Sequence, residues 1–435
     1  MNLIEYSPTL LNWIIAISYS LVTSLGILYF FNSRRINPIV WFLLFQWLIA
    51  FGSILLADLS LESDRYYIFL FFLAKFVYIC TAIFIWSNTR MSKYYDSFWK
   101  KNVEIDHFDA RINIKIIFLL SIVITIFYYS QVGYNIFLNI ILGIAIDDYS
   151  TLRLATYSGD EYYAAGYVNQ FKNVLLPVTL SIICTWTWLT KRKTSFYLLL
   201  IFGSLFCVFA LLGTGQRAFL VYSVAALIFG LFALKDLKFR SLVMPLVALF
   251  TIFSLMTSLY KVNSIDQEDN ILAQSMTKSL ERFFYTEQES GVKAFRYFYY
   301  EDKVYMKEMM DQVKGIIPGQ EGSSLEHYLF SRRHGTDRGT AAYSTVSGFY
   351  YNGGILAVIS FYIILAIAHS YIFYRFLRGS RTVARIFIYS ALIFYTAKFV
   401  SGGILSLVNG GVLTLIILLF LRRINLNYSS ALKLK

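Results

Sequence analysis

The sequence predicts an all-α integral membrane protein, and three observations lead there. Of the 435 residues, 57% are hydrophobic and 18% aromatic, while only 15% are charged; soluble chains run nearer half apolar and a quarter charged. Apolar runs of about twenty residues, the helix length that crosses a bilayer core, recur from end to end. Basic residues gather in alternate short connections: 22 of the 39 Lys and Arg fall at 34–35, 90–115, 191–193, 235–240, 375–385 and 422–435. Such a bias marks cytoplasmic loops. The formal charge of +13 therefore encodes orientation and is no sign of a nucleic-acid partner.

In order, the apolar runs give about eleven spans, at 9–31, 39–57, 66–86, 116–131, 173–190, 195–213, 218–234, 242–261, 348–374, 386–401 and 403–421. Trp, Tyr and Phe crowd their ends, as interfacial belts do. With the basic loops inside, the N-terminus lies outside and the C-terminus inside, in one polytopic domain. Ser401-Gly402-Gly403 must turn the chain tightly between the last two spans; a re-entrant segment there would change the count. Cys80, Cys184 and Cys207 each sit within an apolar run and read as packing residues. No basic segment precedes the first span, so no cleaved signal peptide is expected.

Two external segments are long. The first, 132–172, starts with an apolar stretch from Tyr134 to Ile146 that suits the interface, then turns polar through Asp147, Asp148 and Arg153. The second, 262–347, separates spans eight and nine. Leu272, Met276, Leu280, Phe283 and Phe284, then Val292, Phe295 and Tyr299, repeat at helical spacing. They predict amphipathic helices on the membrane, with Arg282 and Arg296 on or near the polar faces. Pro318-Gly319 breaks the pattern. Beyond it come Glu326, His327, Arg332, Arg333, His334 and Arg338, a dense set of charges at the membrane surface. Such a set suits an anionic, lipid-linked substrate.

Four features of the chain resemble the Wzy-type O-antigen polymerases, which join lipid-linked oligosaccharide repeat units. One is the plan of spans with a large external loop before the last three. A second is the turn Leu212-Gly213-Thr214-Gly215-Gln216-Arg217, and a third is Arg153 in the earlier loop. The fourth is Gly339-Thr340-Ala341-Ala342-Tyr343-Ser344 followed by Gly348-Phe349-Tyr350-Tyr351-Asn352-Gly353-Gly354, similar to the family's Gly-Thr and Gly-x-x-Tyr-x-x-Gly pattern. Where that family often carries an acidic residue, this chain has Phe349. O-antigen ligases share the plan, and peptidoglycan polymerases of the SEDS class share it more loosely. The resemblance implies a GT-C-like membrane glycosyltransferase of the bacterial inner membrane. Its donor would be an undecaprenyl-diphosphate-linked oligosaccharide, and a chain-length regulator is compatible with it as a protein partner.

With a lipid diphosphate as leaving group, guanidinium is the apt stabiliser, because its fork matches phosphate oxygens and it keeps its proton. Arg217, Arg153, Arg332, Arg338, Arg296, Arg282 and the intramembrane Lys398 are the candidates. Each has a plain alternative: a snorkelling, solvated or salt-bridged charge. The acceptor hydroxyl needs a base, and His334, with Arg333 beside it, leads His327 and Glu326. Tyr343 and Tyr350 are candidate substrate contacts. No metal cluster and no cofactor motif is evident. Inverting and retaining outcomes both stay open. A ligase with lipid A core as acceptor and a lipid-linked oligosaccharide flippase are the alternatives. Lys75, in mid-span, is the one feature favouring transport; it needs a structural partner or a polar cavity, and His369 reads as structural.

Overall fold

The computed structural model describes residues 8–30, 36–144, 166–235, 247, 251, 277, 281, 285–315, 317, 325–334 and 341–424, apart from the side chains of Tyr167, Arg217, Arg333, His334 and Asn409. Arg153, Arg282 and Arg338 lie outside the described residues, as does nearly all of the span expected at 242–261. The described residues form helices and no strand. In order these are α1 (Leu10–Tyr29), α2 (Pro38–Leu56), α3 (Glu62–Asn88), α4 (Met91–Lys100), α5 (Phe108–Val132) and α6 (Ile136–Ile141). Next come α7 (Gly166–Gln170), a π turn (Phe171–Leu175), α8 (Leu176–Leu189), α9 (Lys193–Leu198), a second π turn (Leu199–Gly203), α10 (Ser204–Leu212) and α11 (Arg217–Lys235). The remaining helices are α12 (Glu287–Tyr300), α13 (Lys307–Lys314), α14 (Leu325–His334), α15 (Thr345–Arg378), α16 (Val383–Ala397), α17 (Ile404–Asn409) and α18 (Val412–Leu421).

Among the described residues, seven helices are long and apolar enough to cross a membrane: α1, α2, α3, α5, the run Lys193–Leu212, Ala218–Lys235 and α15. The chain is thus an all-helical, membrane-spanning protein. α1 shows how the sequence arranges this. Leu10, Ile14, Ile17, Leu21, Leu25 and Leu28 lie on its exposed face, while Asn12, Ala16, Tyr19, Thr23 and Gly26 are buried. The bundle-facing side carries the small and polar residues, as helix contacts in lipid require. Asn12 donates to the carbonyls of Ile54 (2.7 Å) and Ala57 (2.9 Å), tying α1 to the end of α2.

Two expected spans are broken. α15 continues through Gly353 and Gly354, where the helix kinks; Gly354 has φ of +65°, a conformation that penalises any other residue. The carbonyls of Tyr351 and Asn352 freed there accept from Val304 (3.2 Å) and Met306 (2.7 Å). The span expected at 403–421 is two short helices, α17 and α18, interrupted at Gly410-Gly411. Nearby polar groups re-satisfy such breaks, which is why the membrane tolerates them.

At the other end of α15 the basic loops are held by charge. Arg381 donates to the carbonyls of Lys101 (2.8 Å), Ala233 (3.0 Å) and Leu234 (3.1 Å) and stacks on Trp99, binding the ends of α4 and α11 together. Arg422 pairs with Asp106 at 3.3 Å. Replacing Arg381 by Met strands three carbonyls, a loss on the order of 2–3 kcal/mol. A drop of several degrees in the unfolding midpoint of the nanodisc-embedded protein is expected, and a Lys replacement recovers less than half of it. An unchanged midpoint would remove Arg381 from this role.

Candidate functional site

The site forms where the two broken helices meet. Ser344 caps α15 by accepting from the Ser347 amide at 3.1 Å. The residues on either side of that cap pair with the turn after α16: Thr345 N donates to Val400 O at 3.1 Å and Gly402 N to Tyr343 O at 2.8 Å. Tyr67 of α3 donates to Ser344 Oγ at 2.7 Å. This clasp sets α17 against α13 and beside the first turn of α14.

One end of α17 carries carboxylates. Glu326 Oε1 accepts from Gly403 N at 3.3 Å, and Gln312 Oε1 accepts from Leu405 N at 3.0 Å. The Gln312 amide also donates to Glu308, whose other oxygen accepts from Asn352 Nδ2 at 2.8 Å. Burial pushes the Glu308 carboxyl up; the Asn352 and Gln312 donors oppose this, and the Glu326 charge adds to the rise. Burial, then Glu326 and Glu308, push the Tyr343 phenol well above its ordinary value, so it stays neutral. Tyr343 is fully buried and belongs to the wall of the site.

The far end of α17 approaches cations. Six residues at 1.5 Å each span about 9 Å. There a Cβ on Gly410 would sit 4.0 Å from Lys398 Nζ, and one on Gly411 would press Val174 and Gln170. The Lys398 amine lies 3.3 Å from the Tyr222 ring centroid and 5.3 Å from that of Tyr395. Lys172, between Gln170 and Val174 in the first π turn, is 2% exposed; it donates to Asn173 Oδ1 at 3.0 Å and lies 5.2 Å from the Tyr128 ring. Neither lysine forms an ion pair among the described residues. Lys398 meets α11 at Tyr222; that helix begins at Arg217 and packs on the π turn that carries Lys172, whose own amine faces Tyr128 of α5. The preceding turn is tight because Gly213 lies against Asn135 and Tyr129, while Gly213 O accepts from Ile136 N at 2.8 Å.

The structure brings together Glu326, Lys398, Tyr343 and the backbone of Arg217 from the expected set. Others stand apart. Arg296 spends its fork on Asp64 (2.9 and 2.7 Å), a buried carboxylate that also accepts from Asp58 N at 2.7 Å. Arg332 is exposed and lies 5.0 Å from the Tyr297 ring. Tyr350 packs among Tyr66, Phe295 and Lys303. His327 neighbours Glu326 in the first turn of α14, and Arg333 and His334 end that helix, their side chains outside the described set. Phe349 stacks on Phe361 at 3.5 Å.

Sequence reasoning passes over Glu308, Gln312, Asn352 and Lys172. Asn352 stood within the Gly-rich run, and Lys172 just before an apolar span was a usable signal. Glu308 had none, since Asn352 and Glu326 come from two other helices.

The upward shift at Glu308 fixes a sign. Its folded value exceeds the unfolded one, so its contribution to stability is full below the unfolded value and is lost as pH rises through the folded value. Glu308→Gln removes that dependence. The unfolding midpoint of wild type relative to Glu308→Gln should therefore fall between pH 4 and pH 8; a constant difference would refute the shift. No family model matches the chain, and neither a curated protein nor a solved structure matches it.

Proposed function

We propose that the protein is an O-antigen polymerase, which joins undecaprenyl-diphosphate-linked oligosaccharide repeat units at the outer face of the bacterial inner membrane. One observation carries the reading. α17 has hydrogen-bonded carboxylates at one end and Lys398, without a described counter-charge, at the other, about 9 Å apart along six residues. A glycosyl transfer from a lipid diphosphate needs that pair of chemistries.

In this scheme the acceptor hydroxyl gives its proton to Glu308 or Glu326 as its oxygen bonds the anomeric carbon. A carboxyl held above its ordinary value by burial, as Glu308 is, is suited to that transfer. The bond from that carbon to the diphosphate breaks, and the lipid diphosphate leaves with the electron pair. Lys172, Lys398 and Arg217 stabilise the developing charge. Partial burial strengthens them, because few solvent dipoles compete. The scheme includes a GT-C-like plan of about eleven spans, a periplasmic N-terminus and a cytoplasmic C-terminus, on the positive-inside bias. A ligase using lipid A core differs only in acceptor.

The broken helices α15 and α17–α18 favour a second reading, a transporter of lipid-linked oligosaccharide, since discontinuous helices line transport sites. The test uses purified protein and an undecaprenyl-diphosphate-linked repeat unit. Wild type should yield a ladder of longer lipid-linked glycans, and Lys398→Ala, Lys172→Ala and Arg217→Ala should each slow it roughly 10²–10³-fold. Transfer only after addition of lipid A core would identify a ligase. Substrate crossing liposomes with no product would replace the reading with transport.

A further inference from the structure

The buried sides of four helices form a polar seam that glycosyl transfer does not use. α1 buries Tyr19 and Thr23, α2 buries Gln46 and Ser53, α3 buries Tyr67, Lys75 and Tyr78, and α15 buries Tyr362, His369 and Ser370. Within each helix the spacings keep these residues on one face. Contacts join the sets. Lys75 Nζ donates to Thr23 Oγ1 (2.9 Å) and Leu43 O (3.2 Å) and lies 4.5 Å from the Tyr19 ring. Phe42 packs at once on Tyr78, Tyr362 and His369, and Tyr78 OH meets His369 Nδ1 at 2.7 Å.

Five atoms along this seam have no hydrogen bond of normal geometry: Tyr19 OH, both polar atoms of the Gln46 amide, Ser53 Oγ and Ser370 Oγ; His369 Nε2 faces the backbone of Thr396. Gln46 faces Tyr362 and Ser53 faces Tyr67 without closing a bond of normal geometry. Each unpaired group costs about 1–3 kcal/mol, and lipid offers no substitute. Water is the partner that fits, and a cleft lies near one end of the seam. A cleft of about 60 Å³, lined in part by Leu56, Asp58, Val292 and Arg296, opens at the end of α2, one helical turn from Ser53. One water needs about 10–15 Å³ of such space, so several fit. Past His369 the seam closes on aromatic rings: Trp86 stacks on Phe373 and meets Phe30 edge-on.

Lys75 sits in the middle of this seam. Thr23 Oγ1 spends its own hydrogen on Tyr19 O (2.9 Å), so it accepts from the amine. Two N–H groups of Lys75 are therefore placed, and the remaining position of the nitrogen is a lone pair or a third N–H. The titratable groups around it are Tyr19 of α1, Tyr67 and Tyr78 of α3, and Tyr362 and His369 of α15. Among the described residues no carboxylate pairs with it.

We propose that the seam is a hydrated half-channel, reached by water from the cleft beyond Ser53 at the end of α2 and closed beyond His369, through which Lys75 takes up and releases a proton. The proton arrives on water, bonds the Nζ lone pair, and leaves by the same route. The proposal does not rest on the glycosyl-transfer reading.

The test starts from the full chain with Cys80, Cys184 and Cys207 changed to Ser, carrying Ser53→Cys, Gln46→Cys or Lys75→Cys singly. Silver ion, a small hydrophilic thiol reagent, is applied to proteoliposomes. These three should react at least tenfold faster than Phe76→Cys, whose native side chain is 64% exposed on the outside of the bundle. Gln46→Cys and Lys75→Cys reacting as slowly as Phe76→Cys would overturn the half-channel. Proton uptake is read separately on the otherwise unaltered chain labelled with ¹⁵N-lysine in nanodiscs. A side-chain signal that titrates, and that Lys75→Met deletes, is expected. A Lys75 signal unchanged over the whole pH range in which the protein stays folded would overturn proton binding. Variants that do not fold, by gel filtration, leave the wild-type titration and the other cysteine positions as the test.

Discussion

The arrangement depends on a short backbone clasp between Tyr343–Thr345 and Val400–Gly402. Apart from Thr345, the first residue of α15, neither strip is helical, and both lie against membrane helices, so their amides and carbonyls need partners. They take each other: Thr345 N with Val400 O, Gly402 N with Tyr343 O. Tyr67 locks Ser344 from α3, and Ser344 in turn caps α15. Loosening this clasp would free α17, and with it the groups that hold Glu326, Gln312 and Glu308 in place. The short helix is thus the frame on which two opposite electrostatic environments are kept apart.

The same demand for partners explains where the polar residues go. In water the spans would hide their apolar faces; here α1 exposes leucine and isoleucine and buries Asn12, Tyr19 and Thr23. Polar groups brought inside must be paired or hydrated. Asn12 and Arg381 meet backbone carbonyls, Arg296 meets Asp64, and Lys75 meets Thr23 and Leu43. Gln46 and Ser53 meet none, and that inequality separates scaffold from candidate conduit.

Much of the fold was legible in the sequence because hydrophobic run length and the placement of basic residues are local properties. Runs at 9–31, 39–57 and 66–86 correspond to α1, α2 and α3 within a few residues at each end. The span at 403–421 was not, because an apolar run looks the same whether or not Gly410-Gly411 interrupts it. The site was legible where residues carried their own signal, as Lys398 did by its place in a span. It was illegible where function arises from convergence. Glu308 looks like any surface glutamate until Gln312, Asn352 and Glu326 surround it. Arg296 shows the converse, a cation that suits an anionic ligand in sequence but finds Asp64 from 232 residues away.

The central claim is that the lysine end of α17 holds a lipid diphosphate. Its most direct test is an electron cryomicroscopy map of the full chain with undecaprenyl diphosphate bound. The account predicts phosphate density within hydrogen-bond reach of Lys398 and Lys172, beside Gly410-Gly411. Diphosphate bound elsewhere on the protein, with both amines still lying on their tyrosine rings, would contradict it.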